Sequence, residues 1–378
     1  MKKEKLFYIL VGIIIALLPV YRRVWVADIE RESRDFLLVM LLPVISLLLE
    51  KRRELPKIAF LVFGLVLLKF TVSNTIPSLD FVANEKMRII FIYSINIVLG
   101  LVFLASFYRG HNPQYNNYIL NSLAIGCLVQ SVFVIGSELR LFDYYNFLSI
   151  FYGKIDVGYY NFDHGELGTL GQCNILASYL AVGIFSLFRK KWIYALPFVL
   201  WSLFLAKSAM GYATFAGGLL YFGWLKLNLN GRLPFILCML AFAACVYWGF
   251  DGQDHGRLEI WYANVKISNL KHWLIGRGPG WFPLNSFVRF SEYFIQEHNE
   301  YLAAFNIMGI VGPISMAAVL IYAIPANAQI FSTMIFAIFC NMFGNFFLHI
   351  SVTAFIAIVV LGVCLVQKRS EDELCLER

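Results

Sequence analysis

A polar stretch, residues 251–300, interrupts a chain that is otherwise rich in apolar runs. It ends with His298, flanked by Glu297 and Asn299, directly before the apolar run 301–322. A neutral imidazole can accept a proton from a hydroxyl near pH 7. His298 is therefore a candidate general base at a membrane boundary, with Glu297 or Asn299 as the neighbour that orients it. The alternative is a polar interface residue, which is the commoner role of a lone histidine at a helix start.

The same stretch carries cations that suit an anionic substrate. Arg257 and Arg277 can each hold a diphosphate through two parallel hydrogen bonds, and Arg277 lies in the glycine-rich segment 275–282. The apolar spacing over residues 258–265 predicts a short helix lying on the membrane surface. Arg257 would stand in its first turn, where a cation is unfavourable to the helix dipole unless an anion is near. A solvated surface arginine is the alternative.

A second polar motif precedes an apolar run in the middle of the chain. Gly165, Gly168 and Gly171 allow a tight turn, and Gln172 and Asn174 follow at the predicted top of a spanning helix. The first amides of a helix are unpaired and favour an anion. In the alternative interpretation, Asn174 is only an N-cap and Gln172 a solvated amide.

Lys207 lies in a very short predicted turn, residues 207–211, between two apolar runs. It either anchors the helix at the membrane interface, as such lysines commonly do, or faces inward and meets a phosphate. The sequence slightly favours the anchor.

Composition identifies the scaffold that must position these residues. The chain is 60% hydrophobic and only 15% charged, whereas soluble domains carry about 25% charged residues. It is predicted to be an all-α integral membrane protein, a single polytopic domain over residues 1–378. Its net charge of +7 lies in short clusters between apolar runs, so it forms no basic face for nucleic acid.

A spanning helix needs about 20 apolar residues, and about twelve runs qualify as transmembrane helices, several of them short. The predicted spans are 7–20, 36–49, 58–72, 89–107, 118–136, 174–187, 192–206, 211–225, 233–250, 301–322, 330–347 and 350–366.

Basic clusters orient these spans by the positive-inside rule. Residues 51–53 and 189–191, together with the lysines before the first span, predict cytoplasmic loops and two cytoplasmic termini. The long loops 137–173 and 251–300 then face outward, and the second of them contains short interfacial helices. The cysteine and histidine spacings match no metal site, so no cofactor or metal is expected.

Five segments in order carry a family resemblance: LGTLGQCNILASYLAV, FLAKSAMG, RLEIW, LIGRGPGWF and EHNEYLAAFNIMGIVG. Together they resemble the O-antigen ligase superfamily, which includes O-antigen ligases, O-antigen polymerases and bacterial protein O-oligosaccharyltransferases. The resemblance covers residues 168–312. It implies a GT-C-type membrane glycosyltransferase of the bacterial inner membrane that uses undecaprenyl-diphosphate-linked sugars.

The resemblance also implies roles for single residues. His298 falls on the family's essential histidine, with Asn299 beside it. Arg257 falls on an arginine that holds the donor diphosphate in the family. Gln172 and Asn174 match the Gln-x-Asn of the family's glycine-rich turn. The family usually has Ser-Arg-x-Gly where this chain has Ser208, Ala209, Met210 and Gly211. Lys207 replaces the missing arginine, or Ala209 is an introduced substitution, or the activity is weakened.

The implied reaction is a metal-independent, inverting transfer of a glycan to an acceptor hydroxyl at the periplasmic face. A ligase acting on lipid A core in lipopolysaccharide biosynthesis ranks first, a polymerase second and a protein (pilin) transferase third. A transporter of lipid-linked sugars, which would also have twelve spans and buried polar groups, is the alternative of another class. Against it, the polar residues of this chain concentrate at one membrane face rather than near the midplane.

Overall fold

The structure is a computed structural model that describes residues 3–17, 24–26, 29–31, 101, 104–105, 107–108, 111–141, 168, 173–227, 240, 261–262, 266, 268–277, 299–324, 328–344 and 351–376. This part of the chain is helical, apart from a short antiparallel pair of strands, β1 (Val24–Val26) and β2 (Ile29–Arg31). The helices are α1 (Lys3–Leu17), α2 (Asn116–Glu138), α3 (Cys173–Gly183), α4 (Leu196–Leu205), α5 (Ala209–Lys226), α6 (Leu270–Ile275), α7 (Glu300–Met308), α8 (Val311–Tyr322), α9 (Gln329–Asn341) and α10 (Ser351–Leu376).

Two of the described helical segments, Pro113–Glu138 and Thr353–Asp372, are long and apolar enough to cross a membrane. The first is delimited by local chemistry. Asn112 caps the 3-10 turn Pro113–Tyr115 by accepting a hydrogen bond from the Gln114 amide, and the turn leads directly into α2. Shorter apolar helical segments complete the bundle: Cys173–Leu187, Ile193–Leu205, Val311–Tyr322 and Gln329–Asn341.

Neighbouring helices contact each other in a consistent order. α1 and α2 run parallel, with Tyr8 stacked on Tyr115 and Gly12 against Ser122. α2 and α3 run antiparallel, since Gly126 lies against Tyr179 near the middle of both while Asn121, near the start of α2, binds Arg189 beyond the end of α3.

Helices α3 and α5 run parallel, with Ala177 against Gly211 and Phe185, just past α3, against Gly218. α9 runs antiparallel to α5, because Asn341 binds Thr214 and Phe336 stacks on Tyr221.

These directions give the bundle two ends. We call one the Asn174 end; it contains Asn174, Ser208, Asn299 and the turn 342–344. The other is the His111 end, which contains His111, Arg189 and Arg369. α1 starts and α10 finishes at the His111 end, where Tyr8 binds His111 and Arg369 lies over the Tyr108 ring at 4.9 Å.

The surface of the described helices is unusually apolar. Large hydrophobic side chains stand exposed along α2, α4, α5 and α8: Ile125, Val132, Trp201, Phe204, Leu219, Leu220, Val311, Ile314 and Val319. Buried polar side chains, such as Gln130, Thr214 and Asn341, instead lie between helices. Large apolar side chains exposed on several helices are typical of helices that face lipid.

Most predicted spans with described residues match helices. Spans 7–20, 118–136, 174–187, 192–206, 211–225, 330–347 and 350–366 correspond to α1, α2, α3 with its 3-10 extension Ile184–Leu187, α4, α5, α9 and α10. α10 continues ten residues beyond the predicted end of its span. Spans 36–49 and 58–72 lie outside the described residues, and spans 89–107 and 233–250 lie almost entirely outside them.

The predicted single span 301–322 is wrong. The chain forms two helices there, α7 and α8, separated at Gly309 and Ile310. Gly309 ends α7 in the left-handed region (φ 66°), where its amide donates to the Phe305 carbonyl at 2.8 Å. The Ile310 amide then donates to the Trp273 carbonyl at 2.7 Å, so α6 packs across the break. A Cβ at position 309 would collide with the α6 backbone.

His111 joins α1 to α2 inside the His111 end. It is buried, with Nδ1 2.8 Å from the Tyr8 hydroxyl and Nε2 2.7 Å from Oδ1 of Asn116, and its ring stacks on Phe107. Burial lowers the pKa of His111 to about 4, against a weaker opposing effect of the Asn116 hydrogen bond. The imidazole is therefore neutral at pH 7.

We predict that acid lowers the free energy of unfolding through His111. An unfolded histidine takes up a proton below about pH 6.5, while folded His111 does so only near pH 4, so unfolding is favoured progressively between these values. The loss is on the order of 3 kcal/mol. Chemical unfolding of the detergent-solubilised protein between pH 7 and pH 4.5 measures it, and His111→Gln should show a shallower pH slope. Equal slopes for both proteins would contradict the neutral, buried state.

Candidate functional site

The starts of α3 and α5 are bonded to each other at the Asn174 end. Ser208 is nearly fully buried and caps α5 by accepting a hydrogen bond from the Gly211 amide at 3.3 Å. Its hydroxyl donates to Oδ1 of Asn174 at 2.8 Å. Asn174 is the second residue of α3, and its side chain accepts this bond from the start of α5. One serine hydroxyl thus joins two motif segments.

The start of α7 is held by a second set of hydrogen bonds. Asn299 is its N-cap: Oδ1 accepts from the Leu302 amide and Nδ2 donates to the Phe343 carbonyl, both at 2.9 Å. The Glu300 amide donates to the Met342 carbonyl at 2.9 Å. The amide group of Asn299 is therefore engaged with backbone groups on both sides. Its observed role is to fix the segment that directly follows His298.

These two sets of bonds are part of one structure. The Met210 side chain packs against Gly344, and Nδ2 of Asn341 donates to Oγ1 of Thr214 at 2.9 Å. Helices α3, α5 and α7 consequently all begin at the Asn174 end. A helix start carries a partial positive charge, so three together favour an anion nearby, while the Gly211, Leu302 and Glu300 amides already donate within the protein.

Two exposed cations at this end have strained backbones. Lys207 (φ 48°) follows α4, and Arg140 (φ 53°) follows α2; they are the non-glycine residues with positive φ in the described part of the chain. Such conformations are uncommon for residues with a Cβ and cluster at functional sites. The Lys207 amide donates to the Phe204 carbonyl at 3.1 Å, which closes the turn between α4 and α5.

Arg277 makes a separate set of hydrogen bonds within the outer stretch and to α7. Its guanidinium donates to Oγ of Ser268 at 2.8 Å and to Oδ1 of Asn306 at 3.4 Å. Asn306 is about 10 Å along α7 from Asn299. In the structure Arg277 therefore ties the 251–300 stretch to the far end of the helix that begins after His298.

Other predicted site residues, namely His298, Arg257, Gln172 and Glu297, lie outside the described residues. Within the glycine-rich turn, Gly168 is described: it is buried, has φ 54°, and packs against Gln130 and Leu176. A Cβ at this position would be strained by its φ and would also contact the Gln130 side chain, so the sequence prediction of a tight, close-packed turn holds at Gly168.

Sequence reasoning assigned no role to three residues of the Asn174 end. Ser208 could have been found as a serine directly before a helix, the commonest N-cap pattern. Glu300 is only 4% exposed, and a carboxylate in the first turn of α7 is favoured by the helix dipole. Its position next to the His298–Asn299 pair was visible in the sequence, but its burial was not. Nothing in the sequence marks the backbone conformation of Arg140.

No family model, curated protein or solved structure matches this chain. The resemblance to the O-antigen ligase superfamily therefore rests on the five quoted segments.

We predict measurable coupling between Asn174 and Ser208. Ser208→Ala loses a helix cap and an interhelix hydrogen bond, and each is worth about 1 kcal/mol. Because Asn174→Ala removes the same interhelix bond, the double variant should be more stable than the sum of the two single effects predicts, by about 1 kcal/mol.

Chemical unfolding in detergent measures this coupling. Ser202→Ala is the matched control, since the buried Ser202 hydroxyl donates only to the Phe198 carbonyl of its own helix. Ser202→Ala should show no coupling to Asn174→Ala. Additive losses for Ser208→Ala and Asn174→Ala would mean that the two helix starts are not joined in this way.

Proposed function

We propose that this chain is a polytopic membrane glycosyltransferase that moves a glycan from a polyprenyl diphosphate, such as undecaprenyl diphosphate, to an acceptor hydroxyl. The observation that carries the proposal is the meeting of Asn174, Ser208 and Asn299 at one end of the bundle. These residues come from three of the segments that carry the family resemblance and lie far apart in the sequence. Their convergence is expected of a shared site.

The membrane part of the proposal is supported by the two long apolar helices and by the apolar side chains exposed along the bundle. The ends of the bundle extend the argument. The basic cluster 189–191 and the Lys368–Arg369 pair lie at the His111 end, which the positive-inside rule assigns to the cytoplasm. In this proposal the Asn174 end faces the periplasm across the bacterial inner membrane.

In the proposed site the diphosphate lies over the helix starts, held by Arg257 and Lys207. Matching its charge makes it a better leaving group. Arg277 is assigned a positioning role instead of the diphosphate contact predicted from the sequence, because its hydrogen bonds fix the outer loop to α7. Gln172 and Asn174 shape the wall of the site, and Asn299 holds the start of α7.

The proposed reaction is one displacement. The imidazole of His298 accepts the proton of the acceptor hydroxyl while its oxygen bonds to the anomeric carbon. The bond from that carbon to the phosphate oxygen breaks, its electron pair leaves with the diphosphate, and the configuration inverts. Glu297 is the neighbour available to orient the imidazole, since the Asn299 side chain bonds to backbone.

Ligase, polymerase and protein transferase share this chemistry and differ in the acceptor. We rank transfer to lipid A core first, glycan polymerisation second and protein modification third. A lipid-linked sugar transporter is less well supported, because the motif residues meet at one end of the bundle rather than at its middle.

We predict that His298→Ala abolishes transfer, a loss of about a hundred- to ten-thousand-fold. His298→Gln should be nearly as inactive, because an amide cannot accept the proton. The variants are tested by complementing a deletion strain. The glycans of the deletion strain identify the acceptor. Lipid-linked polymer with bare core indicates a ligase, and single repeats on core indicate a polymerase. Unmodified protein with normal lipopolysaccharide indicates a protein transferase.

The matched control for this experiment is His272→Gln, a histidine of the same outer stretch that lies on α6. It should complement fully. A His298→Ala strain with a normal glycan pattern would remove the general base from the scheme and favour transport.

Lys207 gives a second prediction that separates charge from strain. Lys207→Gly relieves the left-handed backbone and should stabilise the protein by about 1 kcal/mol, while Lys207→Ala retains most of the strain. Both remove the ammonium group, so both should lose donor binding equally and raise the KM for the lipid-linked donor.

Adding Ala209→Arg to either Lys207 variant should restore activity, since position 209 is exposed in the first turn of α5. Normal activity of Lys207→Gly would make Lys207 an interface anchor.

A further inference from the structure

Three exposed aromatic rings form a row on the outside of the bundle. Trp201 stacks on Phe204 with ring centroids 5.6 Å apart and an interplanar angle of 26°. Phe204 stacks in turn on Tyr212 at 6.4 Å and 24°. Their exposed fractions are 52%, 60% and 36%, so the row lies on the surface of the bundle. We call it the aromatic row.

The row is fastened to the Lys207 turn. The Phe204 carbonyl accepts one hydrogen bond from the Tyr212 hydroxyl at 2.6 Å and another from the Lys207 amide at 3.1 Å. The strained turn that presents the Lys207 cation and the rings below it are therefore one unit. An anion held at Lys207 would have the rings directly beside it on the side toward the middle of the bundle.

We propose that the aromatic row binds the polyprenyl tail of a diphosphate lipid whose head group lies at Lys207. This inference rests on the proposed function and assigns a tail site to its donor. The unit combines an exposed cation with a continuous apolar surface that leads away from it, which is complementary to a lipid with an anionic head.

The geometry of the rings favours a polyprenyl chain over a saturated acyl chain. Each isoprene unit contains a planar double bond that can lie flat on an aromatic face, whereas a saturated chain has no such plane.

Binding of two diphosphate lipids tests the inference: undecaprenyl diphosphate, with a long tail, and geranyl diphosphate, with a short one. The full-length protein in nanodiscs is titrated with each. The double variant Trp201→Ala/Phe204→Ala should bind undecaprenyl diphosphate roughly tenfold more weakly and geranyl diphosphate almost unchanged. Lys207→Ala should weaken both.

Tyr194→Ala is the matched control, because Tyr194 is an exposed aromatic residue that precedes α4 at the His111 end. It should bind both lipids as the wild type does. Equal weakening for both lipids in the double variant, or none for either, would overturn the tail site while leaving the transferase proposal intact. Tail-dependent binding by a protein that transfers no glycan would support the lipid site and contradict the proposed function. A wild-type protein that binds neither lipid would overturn both.

Discussion

Every helix that begins at the Asn174 end must satisfy amides that have no partner within the helix, and the described structure depends on how this is done. Side chains and neighbouring turns supply these partners at the starts of α5 and α7. Ser208 does this for α5 and Asn299 for α7. Each of these residues also bonds to a second element, Asn174 or Phe343. Capping and assembly are therefore performed by the same side chains.

This dual use explains why polar motif residues cluster where they do. A serine or asparagine that only capped its own helix would need no partner on another element. Ser208 and Asn299 instead cross-link elements that are distant in sequence, and Met210 and Gly344 close the gap between them. The resulting wall is cross-linked by hydrogen bonds, lies at three helix starts and is flanked by the exposed Lys207. In the proposed transferase it provides a fixed seat for an anionic leaving group, which needs no rearrangement during the reaction.

Much of the helical architecture could be predicted from the sequence because hydropathy alone marks long apolar helices; α2 is an example. The break at Gly309 could not be predicted, because it depends on the packing of α6 against residues 309 and 310. A glycine within an apolar run does not indicate such a contact. Asn174 was predicted as a site residue or a cap, but its actual partner, Ser208, depends on the parallel packing of α3 and α5. The hydrogen bond of Arg277 to Asn306 likewise depends on how the outer stretch packs against α7.

The central claim is that the Asn174 end holds a diphosphate that leaves as a glycan is transferred. The most direct measurement uses the purified chain in liposomes with an undecaprenyl-diphosphate-linked oligosaccharide and an acceptor glycolipid, and follows free undecaprenyl diphosphate and glycosylated acceptor together. The account predicts that the two products appear in equal amounts and only when both substrates are present. Movement of intact donor across the bilayer, without release of undecaprenyl diphosphate, would contradict it.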